Sequence, residues 1–386
     1  MLDSLLIKNF RSLENFEVSK LGRVNLIVGK NNSGKSSVLE ALRIYAGNGQ
    51  RVLLDSISAE HDETYRVKDG EHAEPDAPLP FQDFFTGRTF PAADDISIQI
   101  GSATQSDEIL QVQHVFMAET REPFVEEDGE PSVRVRRRIM SKAQAENEAG
   151  ELRQALQLSK GDRRYPPFFL DVGNARLRSF GFESANATPC SVIPTQFISQ
   201  DELSDEWDKI ALTEHEGVVK QALRIIAPEF ENLTFVRNDD GRPGARPVFQ
   251  RSAKVKLSDV PRPVPLNSLG DGMLRVLQLA LKLFPAKGGF LLIDEFENGL
   301  HYSVQEKVWT LLFEMAERLD IQVFATTHSW DCIESFTKAA VARQDVDGVL
   351  FRMGRSVRTS DSGRIIATVF DEAALANITQ TDVEVR

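Results

Sequence analysis

The sequence predicts an α/β fold, in which a mixed sheet is wrapped by helices and carries a β-rich, partly helical insertion. An apolar run at 24–28 and an apolar helical pattern at 37–42 flank a glycine-containing loop, which indicates a strand, a tight turn and a helix. Residues 273–326 alternate helix, strand, helix and strand, as in a parallel sheet covered by helices. Residues 47–190 interrupt this pattern with acidic stretches, prolines and short strand-like runs.

Four segments follow from these patterns. Residues 1–46 form the first part of the α/β domain, and 47–190 form the insertion with its β-rich layer. Residues 191–265 form a helical subdomain followed by a basic hairpin, and 266–386 form the second part of the α/β domain.

The N-terminal half predicts mainly strands. Residues 2–18 read as two strands joined by a short turn and paired next to the strand at 24–28. In the insertion, apolar and polar residues alternate at 96–100 and 109–116, which predicts the β-rich layer. A polar stretch at 143–158 predicts a helix.

The C-terminal half predicts helices that alternate with strands. Pro228 ends a helical pattern, and Asp239, Asp240 and Gly241 form a good hairpin turn. The predicted helices are 203–212, 218–226, 273–284 and 304–319, and the predicted strands are 233–236, 290–293 and 322–326. The tail predicts a small meander at 349–352, 357–359 and 365–370.

The composition is that of a globular protein. The 386 residues are 41% hydrophobic and 27% charged, enough for a sizeable core, and no stretch approaches the ~20 apolar residues of a membrane span. The start lacks the features of a signal peptide, and Cys190 and Cys332 have no metal-ligand spacing, so we expect a cytoplasmic protein without disulfides. The net charge of −13 argues against a protein that coats nucleic acid.

The run from Gly29 to Ser36 fits the phosphate-binding pattern GxxxxGK[ST] and lies between a predicted strand and a predicted helix. In that arrangement backbone amides and the helix N-terminus surround an anion, Lys35 reaches the outer phosphates, and Ser36 can hold Mg2+. The predicted ligand is therefore a nucleoside triphosphate with Mg2+. The residues predicted to bind it here are Gly29, Asn31, Asn32, Ser33, Gly34, Lys35, Ser36 and Ser37.

A second strand, at 290–293, ends in Asp294 and Glu295. A buried strand that ends in two carboxylates beside a phosphate loop is a Walker B strand, in which Asp294 can orient Mg2+ and Glu295 can act as general base. The next strand, at 322–326, runs into His328, which can hydrogen-bond the γ-phosphate. Glu295, His328 and Lys35 are therefore the predicted catalytic residues.

A second anion-binding surface precedes the helix at 273–284. Ser268, Gly270 and Gly272 offer a hydroxyl and backbone amides at a helix start. Because the chain has one phosphate loop, a monomer offers no second phosphate group for this surface to bind. The surface could bind one if two chains face each other.

These motifs together resemble ABC-type ATPases of the SMC, RecF and OLD group. The opening LLIKNFRSL and the run IDEFENGLH, residues 293–301, look like the ATPase domain of OLD-family proteins and their stand-alone AAA15-type relatives. The similarity covers about the first 45 residues and those from 190 onward. Asp271 and Gly272 depart from the LSGGQ signature of transporters, which favours the SMC, RecF and OLD side.

The resemblance implies a head-to-head dimer, or a higher oligomer, that holds each ATP between one chain's phosphate loop and the other chain's residues 268–272. It also implies that Asn298 and Gly299 lie in the D-loop at the dimer interface. A Q-loop glutamine would bridge Mg2+ and water, and the candidates are Gln99, Gln196 and Gln200.

Features that are absent from the sequence restrict the subgroups of this family that the chain can resemble. The segment 143–158 is too short for the coiled coil of an SMC protein. Only 58 residues follow His328, fewer than the ~100 that a TOPRIM nuclease domain would need. Asp345 and Asp347 have the spacing of a metal-binding pair, but their flanks favour a simple turn between two strands. An effector is therefore expected on a separate chain.

Two basic clusters are candidate DNA-binding surfaces. The first contains Arg134, Arg136, Arg137 and Arg138, for which we favour a solvated face. The second extends from Arg237 to Arg262, where a DNA backbone and an acidic partner or solvent remain equal alternatives.

The leading hypothesis is an Mg2+-dependent ABC-type ATPase whose ATP-driven dimerisation controls a separately encoded nuclease or toxin in anti-phage defence or DNA repair. The first alternative is a slowly hydrolysing sensor or scaffold that sequesters a partner. The second, a nucleotide-binding subunit of a transporter, is disfavoured by the signature and by the insertion.

Overall fold

The computed structural model describes residues 1–63, 79–125, 131–145, 152–170, 187–238, 250–343, 345–358, 361 and 363–370. The predicted turn at 239–241, the end of the predicted strand at 357–359, and residues 146–151 of the predicted helix at 143–158 lie outside these ranges.

Strands and helices alternate along much of the chain. The strands are β1 Leu5–Phe10, β2 Leu13–Val18, β3 Val24–Gly29, β4 Ile98–Gly101, β5 Leu110–Val125, β6 Pro131–Met140, β7 Leu152–Lys160, β8 Arg163–Arg164, β9 Phe168–Phe169, β10 Cys190–Ile193, β11 Phe230–Asn238, β12 Gln250–Leu257, β13 Val264–Pro265, β14 Phe290–Ile293, β15 Gln322–Thr327, β16 Gly348–Arg355 and β17 Ile365–Phe370. The helices are α1 Lys35–Ala46, α2 Arg51–Glu60, α3 Lys142–Ala145, α4 Gln200–Ile210, α5 Glu214–Ile226, α6 Asp271–Lys282, α7 Tyr302–Arg318 and α8 Trp330–Ala342.

The central sheet has the strand order β10-β14-β15-β3-β16-β17 and contains the predicted nucleotide-binding strands. All pairs are parallel except β16 with β17, so β14, β15 and β3 end at the same edge. Every residue of these three strands is buried, as expected for a parallel sheet covered on both faces. The predicted mixed α/β fold is confirmed.

A second, antiparallel sheet has the order β2-β1-β4-β5-β7-β8, and β6 and β9 join β5 and β7. The predicted β-rich layer at 96–100 and 109–116 is therefore present as β4 and β5. The prediction that the N-terminal hairpin pairs next to the nucleotide strand is wrong, because β1 pairs with β2 and β4. Both neighbours of β3 are the parallel strands β15 and β16, which leave no free edge for the hairpin.

The predicted helix at 143–158 is also wrong. Lys142–Ala145 form a single helical turn, and Leu152–Lys160 form the strand β7. This strand pairs antiparallel with β5 over nine residues and places Ala155, Leu156 and Leu158 in buried positions. Pairing with a long strand outweighs the helical preference of a short polar segment.

The tail differs from the predicted meander in two places. Residues 340–342 end the helix α8, so Asp345 lies in a turn between a helix and a strand rather than between two strands. Asp345 is exposed and forms an ion pair with Arg343. Val357 and Arg358 lie outside any strand, and Val357 is fully exposed.

The helices α4, α5 and α6 pack with a third sheet of order β11-β12-β13 over one face of the central sheet. The helix α1 and the antiparallel sheet pack on the other face. In the described chain, no helix is long and apolar enough to span a membrane.

Candidate functional site

The phosphate loop connects β3 to α1 with a tightly folded backbone. Asn32 and Gly34 both have positive φ, and a Cβ at Gly29 would lie 2.6 Å from Ser33 Oγ and 2.8 Å from a main-chain oxygen of Met353. Glycine is therefore required at position 29 for close packing and is favoured at position 34 for its conformation. The Ser33 hydroxyl is buried, and no hydrogen-bond partner for it occurs in the described structure.

Lys35 turns back onto the loop that precedes it. Its Nζ donates hydrogen bonds to the carbonyl oxygens of Gly29 at 2.8 Å and Lys30 at 3.1 Å. Burial lowers the pKa of this lysine, and the carboxylates of Asp294, Glu295 and Glu297 oppose that effect. The ammonium is thus held at the phosphate loop by neutral carbonyl groups that an anionic phosphate can replace.

Asp294 lies at the end of β14, opposite the phosphate loop. Its Oδ2 accepts hydrogen bonds from Thr195 Oγ1 at 3.0 Å and Ser36 Oγ at 3.5 Å, and its Oδ1 accepts one from Thr326 Oγ1 at 2.6 Å. Three chain segments therefore fix the orientation of this carboxylate. The structure brings the two predicted metal ligands, Ser36 and Asp294, together.

The residues around Asp294 fit Mg2+. A serine hydroxyl and a carboxylate are hard oxygen donors, and a site with one carboxylate matches the habit of Mg2+ to take its other ligands from phosphates and water. No group of three or more His, Cys, Asp or Glu side chains that could hold a metal occurs among the described residues.

Glu295 and His328 lie next to each other at the same edge. Glu295 has a left-handed backbone, with φ of 47°, and its N–H donates to Thr326 Oγ1 at 2.9 Å. Its Oε1 is 3.8 Å from His328 Nδ1, and both side chains are partly exposed. A left-handed glutamate costs about 1–3 kcal/mol, and such conformations cluster at functional sites.

The second predicted surface, Ser268 to Gly272, precedes α6. Gly270 has φ of 90°, and a Cβ there would meet no atom within 4 Å. A Cβ at Gly272 would lie 3.2 Å from the carbonyl oxygen of Gly299, in the predicted D-loop. Ser268 is exposed, and its hydroxyl donates to the Pro265 carbonyl at 2.6 Å. This surface is open, and its residues Asp271 and Gly272 pack directly against Gly299.

Arg275, which joins α6 to the predicted Walker B strand, was not predicted from the sequence. Arg275 is completely buried and donates hydrogen bonds of 2.8 Å to the carbonyl oxygens of Pro194, Asp294 and Glu295. Burial lowers its pKa to about 10. The sequence signal for this residue was an arginine within the apolar pattern of a helix, because a buried cation occurs only where it has partners.

The three glutamine candidates differ in position. Gln99 lies in β4 of the antiparallel sheet, and Gln200 is bonded to Asn267 and to the backbone of Ala253. Gln196 is exposed and follows Thr195, whose hydroxyl donates to Asp294. Of the three candidates, Gln196 is therefore the one next in sequence to a hydrogen-bond partner of Asp294.

The predicted basic surfaces are only partly described. Arg137 pairs with Glu119, Arg136 and Arg138 are exposed, and the side chain of Arg134 lies outside the description. In the second cluster Arg251 pairs with Asp208, Lys256 bonds two carbonyl oxygens, and Lys254 and Arg262 are partly or fully exposed. Arg242 and Arg246 fall outside the described residues.

Comparison with known proteins identifies the family. Residues 24–331 match the family described as "AAA domain, putative AbiEii toxin, Type IV TA system". The chain belongs to this family. This AAA protein is therefore a P-loop ATPase, as predicted, and the family implies that it binds nucleotide.

Individual relatives are distant. The AAA protein is 24% identical over 349 residues to an "ATP/GTP phosphatase" of Helicobacter pylori, with 86% of this chain and 87% of that protein covered. An SMC head bound to the C-winged helix domain of ScpA is similar at a TM-score of 0.47, with 14% identity and coverage of 97% and 99%. The SMC head domain from Thermotoga maritima is similar at a TM-score of 0.41, with 15% identity and coverage of 96% of this chain and 98% of that domain.

Proposed function

We propose that the AAA protein binds and hydrolyses ATP with Mg2+ and forms a head-to-head dimer around it that regulates a separately encoded effector. The observation that carries the proposal is the meeting of Ser36 and Asp294 at the shared edge of β3, β14 and β15. The carboxyl edge of a parallel sheet is where such folds bind ligands.

Each residue at this edge has a chemical task. The amides of residues 31–37 and the start of α1 bind the phosphates, and Lys35 exchanges its carbonyl contacts for phosphate oxygens. Ser36 and Asp294 would hold Mg2+, which neutralises charge on the phosphates when bound. Glu295 would take a proton from the attacking water, and His328 would contact the γ-phosphate.

The dimer follows from the second surface. Ser268, Gly270 and Gly272 expose a hydroxyl and backbone at the start of α6, and Gly270 has open space around it. A helix start with open backbone amides favours an anion. We propose that this anion is the ATP held by the phosphate loop of a second chain, with Asn298 and Gly299 beside it.

The effector is proposed from the family. The family description names a toxin and a type IV toxin–antitoxin system, and the H. pylori relative is named a phosphatase of ATP and GTP. We propose that the effector is a nuclease or toxin and that the pair acts in defence against phage or in DNA repair. Contact with DNA through the segment Arg237–Arg262 belongs to the same proposal.

Steady-state ATP hydrolysis by Glu295→Gln tests the catalytic assignment. We expect turnover to fall by about 10²–10⁴-fold, because the general base is lost, while ATP stays bound and the dimer persists in size-exclusion chromatography with light scattering. Glu306→Gln, on the exposed face of α7, is the matched control and should hydrolyse ATP like the wild type. Unchanged turnover in Glu295→Gln would remove this residue from the mechanism.

Nucleotide binding by Lys35→Ala tests the phosphate loop. The variant loses the one cation that the loop directs to the phosphates, so we expect binding of a fluorescent ATP analogue to disappear. Lys30→Ala, five residues away at an exposed position of the same loop, is the control and should retain most of the affinity. Wild-type affinity in Lys35→Ala would contradict the whole site assignment.

A further inference from the structure

Glu297 is a carboxylate of the predicted active-site edge to which neither the sequence patterns nor the proposed function assigns a role. It lies three residues after Asp294, and its side chain is only 12% exposed. Its Oε2 is buried and forms no hydrogen bond within the described structure. A buried carboxylate with one unpaired oxygen costs free energy, so its retention calls for an explanation.

The contacts of Glu297 converge on His328. Its Oε1 accepts a hydrogen bond from the backbone N–H of His328 at 3.1 Å and lies 3.3 Å from Nδ1 of the same residue. In the described part of the chain, His328 is the one basic side chain within ion-pair distance of Glu297. One carboxylate oxygen therefore contacts both the main chain and the ring.

The imidazole has two different sides. Nδ1 lies 3.3 Å from Glu297 Oε1 and 3.8 Å from Glu295 Oε1, whereas Nε2 has no hydrogen-bond partner among the described residues and the side chain is 51% exposed. A ring held through Nδ1 keeps a defined orientation, and Nε2 remains the nitrogen that can reach a ligand.

We infer that Glu297 is a positioning residue that fixes the imidazole of His328 so that Nε2 is presented to the terminal phosphate of ATP. The inference rests on the proposed function, because it needs ATP at this edge. Holding the ring in advance removes the cost of ordering it during the reaction. Glu297 acts through His328 and touches no reacting atom.

A double-mutant cycle tests the inference. We expect Glu297→Ala to lower kcat by roughly 10–100-fold, the usual effect of losing a group that orients an active-site histidine, with little change in the KM for ATP. In the His328→Ala background the same substitution should change kcat by less than about twofold, because the ring it orients is already gone.

Glu297→Gln separates positioning from structure. Its amide oxygen can still accept from the His328 N–H, so we expect kcat between those of wild type and Glu297→Ala, and a melting temperature at or above the wild-type value because a buried charge is removed. Glu306→Gln is the control for the same chemical change on an exposed side chain. If Glu297→Ala does not fold, Glu297→Gln takes its place in the cycle.

The outcomes distinguish the two proposals. Two results would overturn the role of Glu297 if the wild type hydrolyses ATP: fully additive losses of kcat in the double-mutant cycle, or unchanged kcat in both Glu297 variants. Either result would leave the proposed function standing. A wild-type chain that binds ATP through Lys35 but does not hydrolyse it would overturn both.

Discussion

At the scale of single residues, hydroxyl groups orient carboxylates in two separate parts of this molecule. Thr195, Thr326 and Ser36 surround Asp294 at the site. Asp3, far from that site in sequence, accepts hydrogen bonds from Ser102, Thr104 and Ser4. At Asp3 these bonds favour the ionised carboxylate and so couple its protonation to folding.

The Asp3 cluster gives a pH prediction. Hydrogen bonds from Ser102 first, then Thr104 and Ser4, lower the pKa of Asp3 to about 2 from an ordinary value of 3.8. The stabilisation is therefore fully present above pH 3.8 and is lost as the pH falls through about 2. We expect Asp3→Asn to unfold at lower urea than wild type at pH 7, and the difference to shrink between about pH 4 and about pH 2.

The control for this prediction is Asp95→Asn, the same change at an exposed carboxylate. Urea midpoints measured from about pH 2 to about pH 7 should run parallel for Asp95→Asn and wild type and should converge for Asp3→Asn and wild type. Parallel curves for Asp3→Asn would show that its hydrogen bonds do not depend on charge.

At the scale of elements, the sequence predicted those that carry their own pattern. Residues 290–293 form β14 with the predicted bounds, and α6, α7 and β15 lie within a few residues of their predicted ranges. Uninterrupted apolar runs and amphipathic spacing are local signals, so they can be read without knowing the neighbours. The phosphate loop is also predictable from local signals, because its motif lies between a strand pattern and a helix pattern.

Elements whose structure depends on a distant partner were missed. The strand β7 lies within a segment with a helical pattern, and it becomes a strand because β5 offers a long edge about 40 residues earlier. The hairpin β1–β2 joined β4 instead of β3, since β3 is paired on both sides. Arg275 and Glu297 were missed for a related reason, because their partners are backbone groups and a side chain on other segments.

Two glycines give a prediction about these elements. A Cβ at Gly289, just before β14, would lie 1.9 Å from the carbonyl oxygen of Pro189, which accepts the first hydrogen bond between β10 and β14. We expect Gly289→Ala to lower the free energy of unfolding by roughly 1–3 kcal/mol, since one of the two backbones must move. Denaturant unfolding at constant pH measures this change in the free energy of unfolding.

The matched control is Gly217, a position inside α5 where an added Cβ would meet no atom within 4 Å. Alanine there should raise the free energy of unfolding by roughly 0.5–1 kcal/mol, because glycine is the poorer helix former. Equal effects of the two substitutions would show that the approach of Gly289 to Pro189 does not hold the strands together.

At the scale of the whole molecule, the site is divided between two ends of the chain. The phosphate loop and Asp294 form one part of the predicted site, and residues 268–272, the predicted second surface, contact Gly299 and Ile226. Arg275 joins this surface to the carbonyl groups of Asp294 and Glu295 through one buried side chain. Residues 268–272 and the predicted Walker B strand are therefore linked through α6.

Mixing two inactive variants tests whether the halves come from different chains. Lys35→Ala lacks the phosphate-binding lysine but keeps residues 268–272, whereas Ser268→Arg blocks the second surface but keeps the phosphate loop. In a head-to-head dimer, one site of the mixed pair combines the intact loop of one chain with the intact surface of the other. Each variant alone should be inactive, and an equal mixture should recover roughly a quarter of the wild-type ATPase rate, since half of randomly formed dimers are mixed and each has one intact site of two.

Two controls define this result. Ser268→Arg alone should still bind the fluorescent ATP analogue, because its phosphate loop is unchanged, and Lys35→Ala mixed with the double variant Lys35→Ala/Ser268→Arg should stay inactive. A mixture of the single variants without activity, although both fold and Ser268→Arg binds nucleotide, would mean that residues 268–272 do not complete the site of a second chain. An ATPase rate of the mixture that increases with protein concentration would show that hydrolysis depends on assembly of two chains. ATP would then determine when two copies of the chain stay together.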